Sequence, residues 1–507
     1  MQTNILHYLI SSAKRFPGKT AVSDGTEKIT YKELLRQSRS VGTALCAMTD
    51  TRAPIGIYMG KCTESIVSFY GAVFAGCFYC SLNPELPETR LKQIASVLSP
   101  SVIVTTEALK YEAANIFSAF KTVTFTELLT AAPDENALNE RLDAHTDTDP
   151  LYINFTSGST GIPKGIVVGH RSVIDFIDCF TDIFGITEND VIANQAPFDF
   201  DVSVKDIYSA VKTGAELLIV PRSLFSAPVK LTDFLCDNRA TVMIWAVSAL
   251  CLITTFHCLD YRTPDTVKKI LFSGEVMPAR ALKEFRKHLP NAMYVNLYGP
   301  TEITCNCTYH ILDKERDYSS GIPIGRHFPN EDVFLLDENE CRVTLPNTPG
   351  EICVRGSALA LGYYSCREQN EKHFVQNPLN PHYPERIYRT GDLGKYGENG
   401  ELFFCGRRDF QIKYMGHRIE LEEIERAASA IDGVERFCCV FDEKHSRLKG
   451  FYVGAAEKES LHMQLKKDLP AFMVPGMLCK VDEMPLTKNG KTDRKKLAEY
   501  REKTNER

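Results

Sequence analysis

Thr156-Ser-Gly-Ser-Thr-Gly-Ile-Pro-Lys-Gly165 follows the apolar run Leu151-Tyr-Ile-Asn-Phe155. A strand that opens into a loop crowded with hydroxyls and glycines brings backbone N–H and side-chain O–H groups to one place, where they can wrap phosphate oxygens. Lys164 adds a positive charge. A Walker P-loop requires Lys followed by Ser or Thr and then a helix. Here Pro163 precedes Lys164 and Gly165 follows it, so that reading fails. A plain Ser/Gly surface linker is the alternative that this stretch alone leaves open.

Four more stretches carry chemistry. Asn296-Leu-Tyr-Gly-Pro-Thr-Glu302 ends an apolar run, and would set an aromatic face, a turn and a carboxylate at the mouth of a sheet. Tyr298 could stack on a base and Glu302 could hold Mg²⁺. Tyr388-Arg-Thr-Gly-Asp-Leu393 puts a carboxylate after a tight glycine turn, suited to paired hydroxyls such as those of a ribose. Gly406-Arg-Arg-Asp409 runs into Phe410-Gln-Ile-Lys413 and Gly416-His-Arg-Ile-Glu-Leu421. Leu486-Thr-Lys-Asn-Gly-Lys-Thr-Asp-Arg494 would by itself read as a solvated basic tail.

Around these motifs, short β-rich runs such as Ser101–Thr105, Glu216–Val220 and Lys269–Ser273 alternate with helical segments such as Ala279–His288. That alternation predicts an α/β fold with largely parallel sheets and functional loops at the carboxyl ends of strands. From about Val333 the texture changes to short strands separated by Gly and Pro (Val333–Asp337, Glu351–Arg355, Glu401–Cys405), which predicts a β subdomain. Leu421, Ile424, Ala428 and Ile431 recur at helical spacing before Gly433, and strands at Phe437–Phe441 and Lys449–Val453 follow. The expected division is a large domain over 1–408 and a small α+β domain over 409–507. A chain of 507 residues exceeds what one core usually supports.

Composition excludes several classes. With 59 basic and 65 acidic side chains, the net charge of −6 argues against nucleic acid or an anionic membrane as main partner. No apolar run reaches the length of a membrane span, and the start lacks a signal-peptide pattern, so a cytoplasmic location is expected. The seventeen cysteines are scattered through apolar stretches; Cys77-Phe-Tyr-Cys80 has metal-like spacing, but no second pair completes a site. They read as core thiols in a reducing compartment.

Taken together and in this order, the five motifs resemble the adenylate-forming superfamily of acyl-CoA synthetases, luciferases and non-ribosomal peptide synthetase adenylation domains. The resemblance spans essentially the whole chain from Ile29-Thr-Tyr-Lys-Glu-Leu34 onward. Within it, Phe200-Asp-Val-Ser-Val-Lys-Asp-Ile-Tyr208, Leu271-Phe-Ser-Gly-Glu-Val276 and Asp409–Lys413 are most similar to free-standing D-alanine–carrier-protein ligases. The resemblance implies ATP and Mg²⁺ as cofactors, a small amino acid as substrate, and the phosphopantetheine thiol of a carrier protein, supplied in trans, as acceptor. It implies that Thr156, Ser157, Gly158, Ser159, Thr160 and Lys164 form the loop over the β- and γ-phosphates. Asn296, Leu297, Tyr298, Gly299, Pro300 and Thr301 would line adenine and the α-phosphate, Glu302 would bind Mg²⁺, and Asp392 would accept the ribose hydroxyls with Arg407 nearby. Lys491 would bridge the α-phosphate and the amino-acid carboxylate. Lys413 would act in the second half-reaction, in which the small domain, mobile about Asp409, takes another pose.

Asp201 suggests an amino-acid substrate, because a carboxylate in a pocket is costly unless a cation such as an α-ammonium pairs with it. Its alternative role is an N-cap on the following helix. Val202, Lys205, Leu271, Ser273, Leu297 and Cys305 complete the expected substrate pocket. Lys205 departs from the apolar residue usual in the D-alanine ligases and Ser273 from their Cys; Leu271, Ser273 and Leu297 are similar to pockets for a small hydroxylated amino acid. Lys205 either pairs with Asp201 across one helical turn or points inward to read an acceptor on the substrate. The rival functions are an acyl-CoA synthetase acting on another carboxylic acid, and a non-catalytic adenylate-binding protein.

Overall fold

The computed structural model describes residues 2–158, 162–408, 411–442, 445–486 and 492–500. They fall into two compact units: Met1–Pro84, Val97–Phe155 and Gly165–Arg408 form the first, and Glu85–Ser96, Thr156–Lys164 and Asp409–Arg507 the second. The two inserted segments, Glu85–Ser96 and Thr156–Lys164, are not foreseen by a single division of the sequence at residue 408.

Two mainly parallel sheets organise the first unit. One has nine strands, in which Met293–Tyr298, Lys269–Ser273, Val242–Ala246, Val191–Asn194, Glu216–Ile219 and Thr20–Ser23 lie side by side and parallel. Strands buried on both faces read as unbroken apolar runs, with alternate side chains serving different layers. Ile192, Ile244, Leu271, Val295 and Leu297 belong to one core, while Ala193, Met243, Trp245, Ile270, Phe272 and Tyr294 belong to another. Ser273 shares the face of Leu271, so the chemistry that emerges at the strand's carboxyl end emerges on that side. The second sheet, of seven strands, includes Pro54–Tyr58, Phe78–Leu82 and Pro150–Thr156 in parallel array.

The expected β subdomain is an antiparallel sheet of five strands, built on the long strand Arg386–Tyr396, which pairs with Gly350–Gly356, Phe374–Gln376 and Leu402–Arg407. The fold is thus α/β with a β subdomain. Strand Lys269–Ser273 and helix Ala279–His288 have the expected bounds, and the remaining strands differ from expectation by up to three residues at their ends.

In the second unit, Gln411–Tyr414 and His417–Glu420 form a hairpin whose two-residue turn places Met415 and Gly416 at φ of 52° and 81°. Both turn positions need positive φ, which Gly416 adopts without steric cost. Helix Leu421–Ser429 follows, then a three-stranded sheet of Val434–Asp442, Arg447–Gly454 and Met477–Lys480. Ile419, Leu421, Ile424, Ala428, Leu461, Leu465 and Leu478 share its core. Among the described residues, no helix is long and apolar enough to cross a membrane.

Candidate active site

The carboxyl ends of the parallel strands bring most of the expected residues together in the first unit. Helix Val202–Thr213 starts beyond strand Val191–Asn194 and is stopped by Gly214 in the left-handed conformation. Asp201 occupies its N-cap position, but the side chain makes no capping hydrogen bond. The N-cap alternative for its carboxylate is therefore set aside. Val202, the first helical residue, is half-buried.

Lys205 lies one turn further and is fully buried. Its ammonium donates to Asn306 Oδ1 at 2.6 Å, with Asp201, Cys305 and Asp206 in its electrostatic neighbourhood. Lys205 lies on a face of the helix that is packed inside the protein, with the charge of Asp201 close enough to favour its protonated form. Burial lowers the affinity of the amine for its proton. The neighbouring Asp206 turns instead to Asn194 Nδ2 at 2.7 Å, and burial pushes its carboxyl up to about 7.

Leu271 and Ser273, on one strand, and Leu297, on the next, are all buried, and Ser273 is in register with Leu297. Cys305 and Asn306 arrive from the turn after strand Met293–Tyr298. Cys305 Sγ donates to the Asp201 carbonyl at 3.0 Å. Gly299 is indispensable to this crossing: a Cβ there would lie 2.4 Å from Asn306 Cα and 2.8 Å from Cys305 O. Asn154, Tyr152 and Asn306 carry no motif and were missed by sequence reasoning. Polar types within apolar strands are the signal that could have found the first two. Tyr152 is buried, with its hydroxyl beside Cys305.

The nucleotide candidates occupy the adjoining loops. Asn296 is buried and donates from Nδ2 to Pro323 O at 2.9 Å. Tyr298 donates to Asp392 Oδ2 at 2.5 Å, and Arg407 Nη1 donates to Asp392 Oδ1. Asp392 and Arg407 face each other in register on paired strands, and Thr390 Oγ1 accepts from the Asp392 N–H at 2.9 Å. Tyr298 thus buttresses the carboxylate through its hydroxyl, a contact that the stacking expectation did not include. Pro300 introduces the short turn Thr301–Ile303 that carries Glu302. Glu302 is buried and accepts from the Tyr363 hydroxyl at 2.6 Å. A buried carboxylate oriented in this way is a hard oxygen donor that fits Mg²⁺.

In the second unit, Thr156 O accepts from Arg90 Nη2 at 3.3 Å, Ser157 Oγ donates to Arg418 O at 2.8 Å, and Gly158 N donates to Glu423 Oε2 at 3.2 Å. Glu423 also pairs with Arg90 at 2.6 Å, both side chains being buried. Lys164 opens strand Lys164–Gly169, and Lys413 is in register with Arg418 in the hairpin. Ser159, Thr160, Asp409 and Lys491 lie outside the described residues.

Comparisons with known proteins accord with this arrangement. The family of AMP-binding enzymes matches residues 9–364, and its C-terminal domain matches residues 423–491. The chain is 32% identical over 514 residues to a D-alanine–D-alanyl carrier protein ligase of Bacillus cereus, covering 95% of this chain and 96% of that protein. It is also 32% identical over 503 residues to bacitracin synthase 1 of Bacillus licheniformis, but spans only 9% of that protein's length. Among solved structures, the Vibrio cholerae adenylation domain AlmE, crystallised with glycyl-adenosine-5′-phosphate, superposes with a TM-score of 0.85 at 20% identity, covering 98% of each chain. IdnL1 superposes with a TM-score of 0.82 at 26% identity, covering 95% of this chain and 99% of that one. With a family match over most of its length and a relative aligned nearly end to end, this chain belongs to the adenylate-forming, AMP-binding enzymes.

Proposed function

We propose that the protein activates a small amino acid with ATP as its aminoacyl-adenylate, releasing pyrophosphate, and transfers the aminoacyl group to the phosphopantetheine thiol of a carrier protein. The observation that carries the amino-acid reading is Asp201, a carboxylate at the head of a buried helix that does not cap that helix. A substrate α-ammonium compensates such a group. The carrier-protein acceptor is supported by the likeness to D-alanine–D-alanyl carrier protein ligases.

The chemistry is charge cancellation and positioning. The substrate carboxylate is already ionised at neutral pH, so its in-line attack on the α-phosphorus needs no general base. Asp201 holds the α-ammonium, Leu271, Ser273 and Leu297 limit side-chain depth, and the Thr156–Lys164 loop holds the outgoing phosphates. Asp392 takes the ribose hydroxyls, its orientation set by Tyr298 and Arg407. Lys491 neutralises the two approaching anions. Glu302 would hold Mg²⁺, which would supply further charge neutralisation at the phosphates when bound.

D-Alanine ranks first as substrate and serine close behind. ATP–pyrophosphate exchange across all common L- and D-amino acids, with fatty and aryl acids alongside, tests the reading. Exchange with alanine or serine, abolished in Asp201→Ala with ATP binding retained, is expected. A strong preference for phenylalanine, tryptophan or a long acyl chain would sink the small pocket. Absence of exchange with every acid would point to the non-catalytic alternative.

A further inference from the structure

Asp201 is gripped by its backbone from two directions. Asn154 ends a buried stretch of the seven-stranded sheet, between Ile153 and Phe155, and is itself only 5% exposed. With its amide oriented to satisfy both ends, Nδ2 donates to Ile153 O at 3.2 Å and Oδ1 accepts from the Asp201 N–H at 3.2 Å. From the nine-stranded sheet, Cys305 Sγ donates to Asp201 O at 3.0 Å. Burial pushes the Cys305 thiol well up, so it stays protonated and able to donate.

Neither contact is what packing alone would select. A carboxamide in an apolar strand costs free energy unless both ends are bonded, and an aliphatic side chain would serve the core better. Cys305 and the preceding Thr304 both hold positive φ, 76° and 52°, an unfavourable conformation for side-chain-bearing residues and most of all for a β-branched one. Thr304 Oγ1 anchors the turn by donating to Ala358 O at 2.7 Å. The strain is spent on aiming the thiol at Asp201.

We propose that Asn154 and Cys305 are positioning residues that fix Asp201 from both sheets, so that its carboxylate meets the substrate ammonium at a set place. The assignment rests on the ammonium role of Asp201 given above. Clamping the backbone on both sides of one Cα limits the pivot of the side chain, because the two contacts fix the N–H and the carbonyl of Asp201.

The test is steady-state pyrophosphate exchange with Asn154→Leu, Cys305→Val and Cys305→Ser, together with melting temperatures. KM for the amino acid should rise about tenfold in Asn154→Leu and Cys305→Val, the loss of one hydrogen bond each. KM for ATP should stay unchanged, and Cys305→Ser, which keeps a donor, should recover most of the loss. If Asn154→Leu does not fold, Asn154→Ala replaces it. Combined with Asp201→Ala, Asn154→Leu should add nothing further to the amino-acid dissociation constant measured by calorimetry. If Asp201→Ala abolishes amino-acid use while the Asn154 and Cys305 variants keep the native KM, the clamp is wrong and the ammonium reading stands. If Asp201→Ala itself is tolerated, both fall. Parallel losses in both KM values and in melting temperature would make the two residues merely structural, which also overturns the proposal.

Discussion

Glu331 begins the strand Glu331–Leu336 with its side chain buried, one oxygen accepting from the Ala358 N–H at 3.2 Å and the other without a partner. Burial pushes its carboxyl up to about 9, with Asp175 adding to the rise and the Ala358 bond opposing it. A raised carboxyl binds a proton in the folded state that the unfolded chain has lost. Its contribution is therefore fully present below the unfolded value of 4.5 and is lost as pH rises toward 9. While only the folded carboxyl is protonated, the slope from this group approaches about 1.4 kcal/mol per pH unit. Glu331→Gln should flatten the fall in melting temperature between pH 5 and 9 and raise it at pH 8; identical profiles for the two proteins would refute the assignment. At the same scale, Asp201 and Glu302 could be picked from the sequence because their motifs carry the chemistry. Asn154 and Asn306 could not, because each acts through one long-range contact, to Asp201 and to Lys205.

The helix Val202–Thr213 shows what an element adds to its residues. The N-cap reading of Asp201 suggests where it starts, yet spacing alone leaves Lys205 with two readings, since a residue four positions from a carboxylate can pair along the surface or turn inward. Ser203 to Val211 are all buried, so this helix has hardly any solvent face and Lys205 lies inside the protein. Lys205→Met tests the pocket reading. Removing an ammonium that addresses polar substrate atoms should shift exchange toward apolar side chains by roughly tenfold, on the scale of one unmatched buried polar group. An unchanged substrate ranking would show that Lys205 serves only Asn306 and the core. The hairpin Gln411–Tyr414/His417–Glu420 was less legible, since two short strands of mixed polarity carry no strong alternation; its turn chemistry at Met415-Gly416 is the clearer signal.

For the whole molecule, the proposed cycle divides the work of the second unit between half-reactions. Lys491 is assigned to adenylate formation, and the Lys413–Arg418 hairpin, with Gly416 as a wall free of side chain, to thioester formation. Lys491→Ala should lower adenylation by orders of magnitude while transfer from pre-formed adenylate survives. Equal loss in both steps, in a folded variant, would remove the assigned role. Asp409→Pro, by fixing φ at the proposed hinge, should impair one half-reaction far more than the other. Single-turnover measurement of each step separates the outcomes, and wild-type rates in both would refute the hinge.

The order of elements, the α/β texture and the change to β structure after residue 333 were legible in the sequence itself, which also supplied the candidates for the phosphate, ribose and metal sites. These depend on local hydrophobic period, turn chemistry and short motifs, which neighbouring residues encode. Only the tertiary structure decided that the Asp201 carboxylate does not cap its helix, that Lys205 is buried against Asn306, and that Asp392 is bracketed by Tyr298 and Arg407. Each of these joins residues separated by fifteen to more than a hundred positions, or depends on how the helix is packed. Such pairings arise from how the strands are ordered and packed, and no local pattern carries that information.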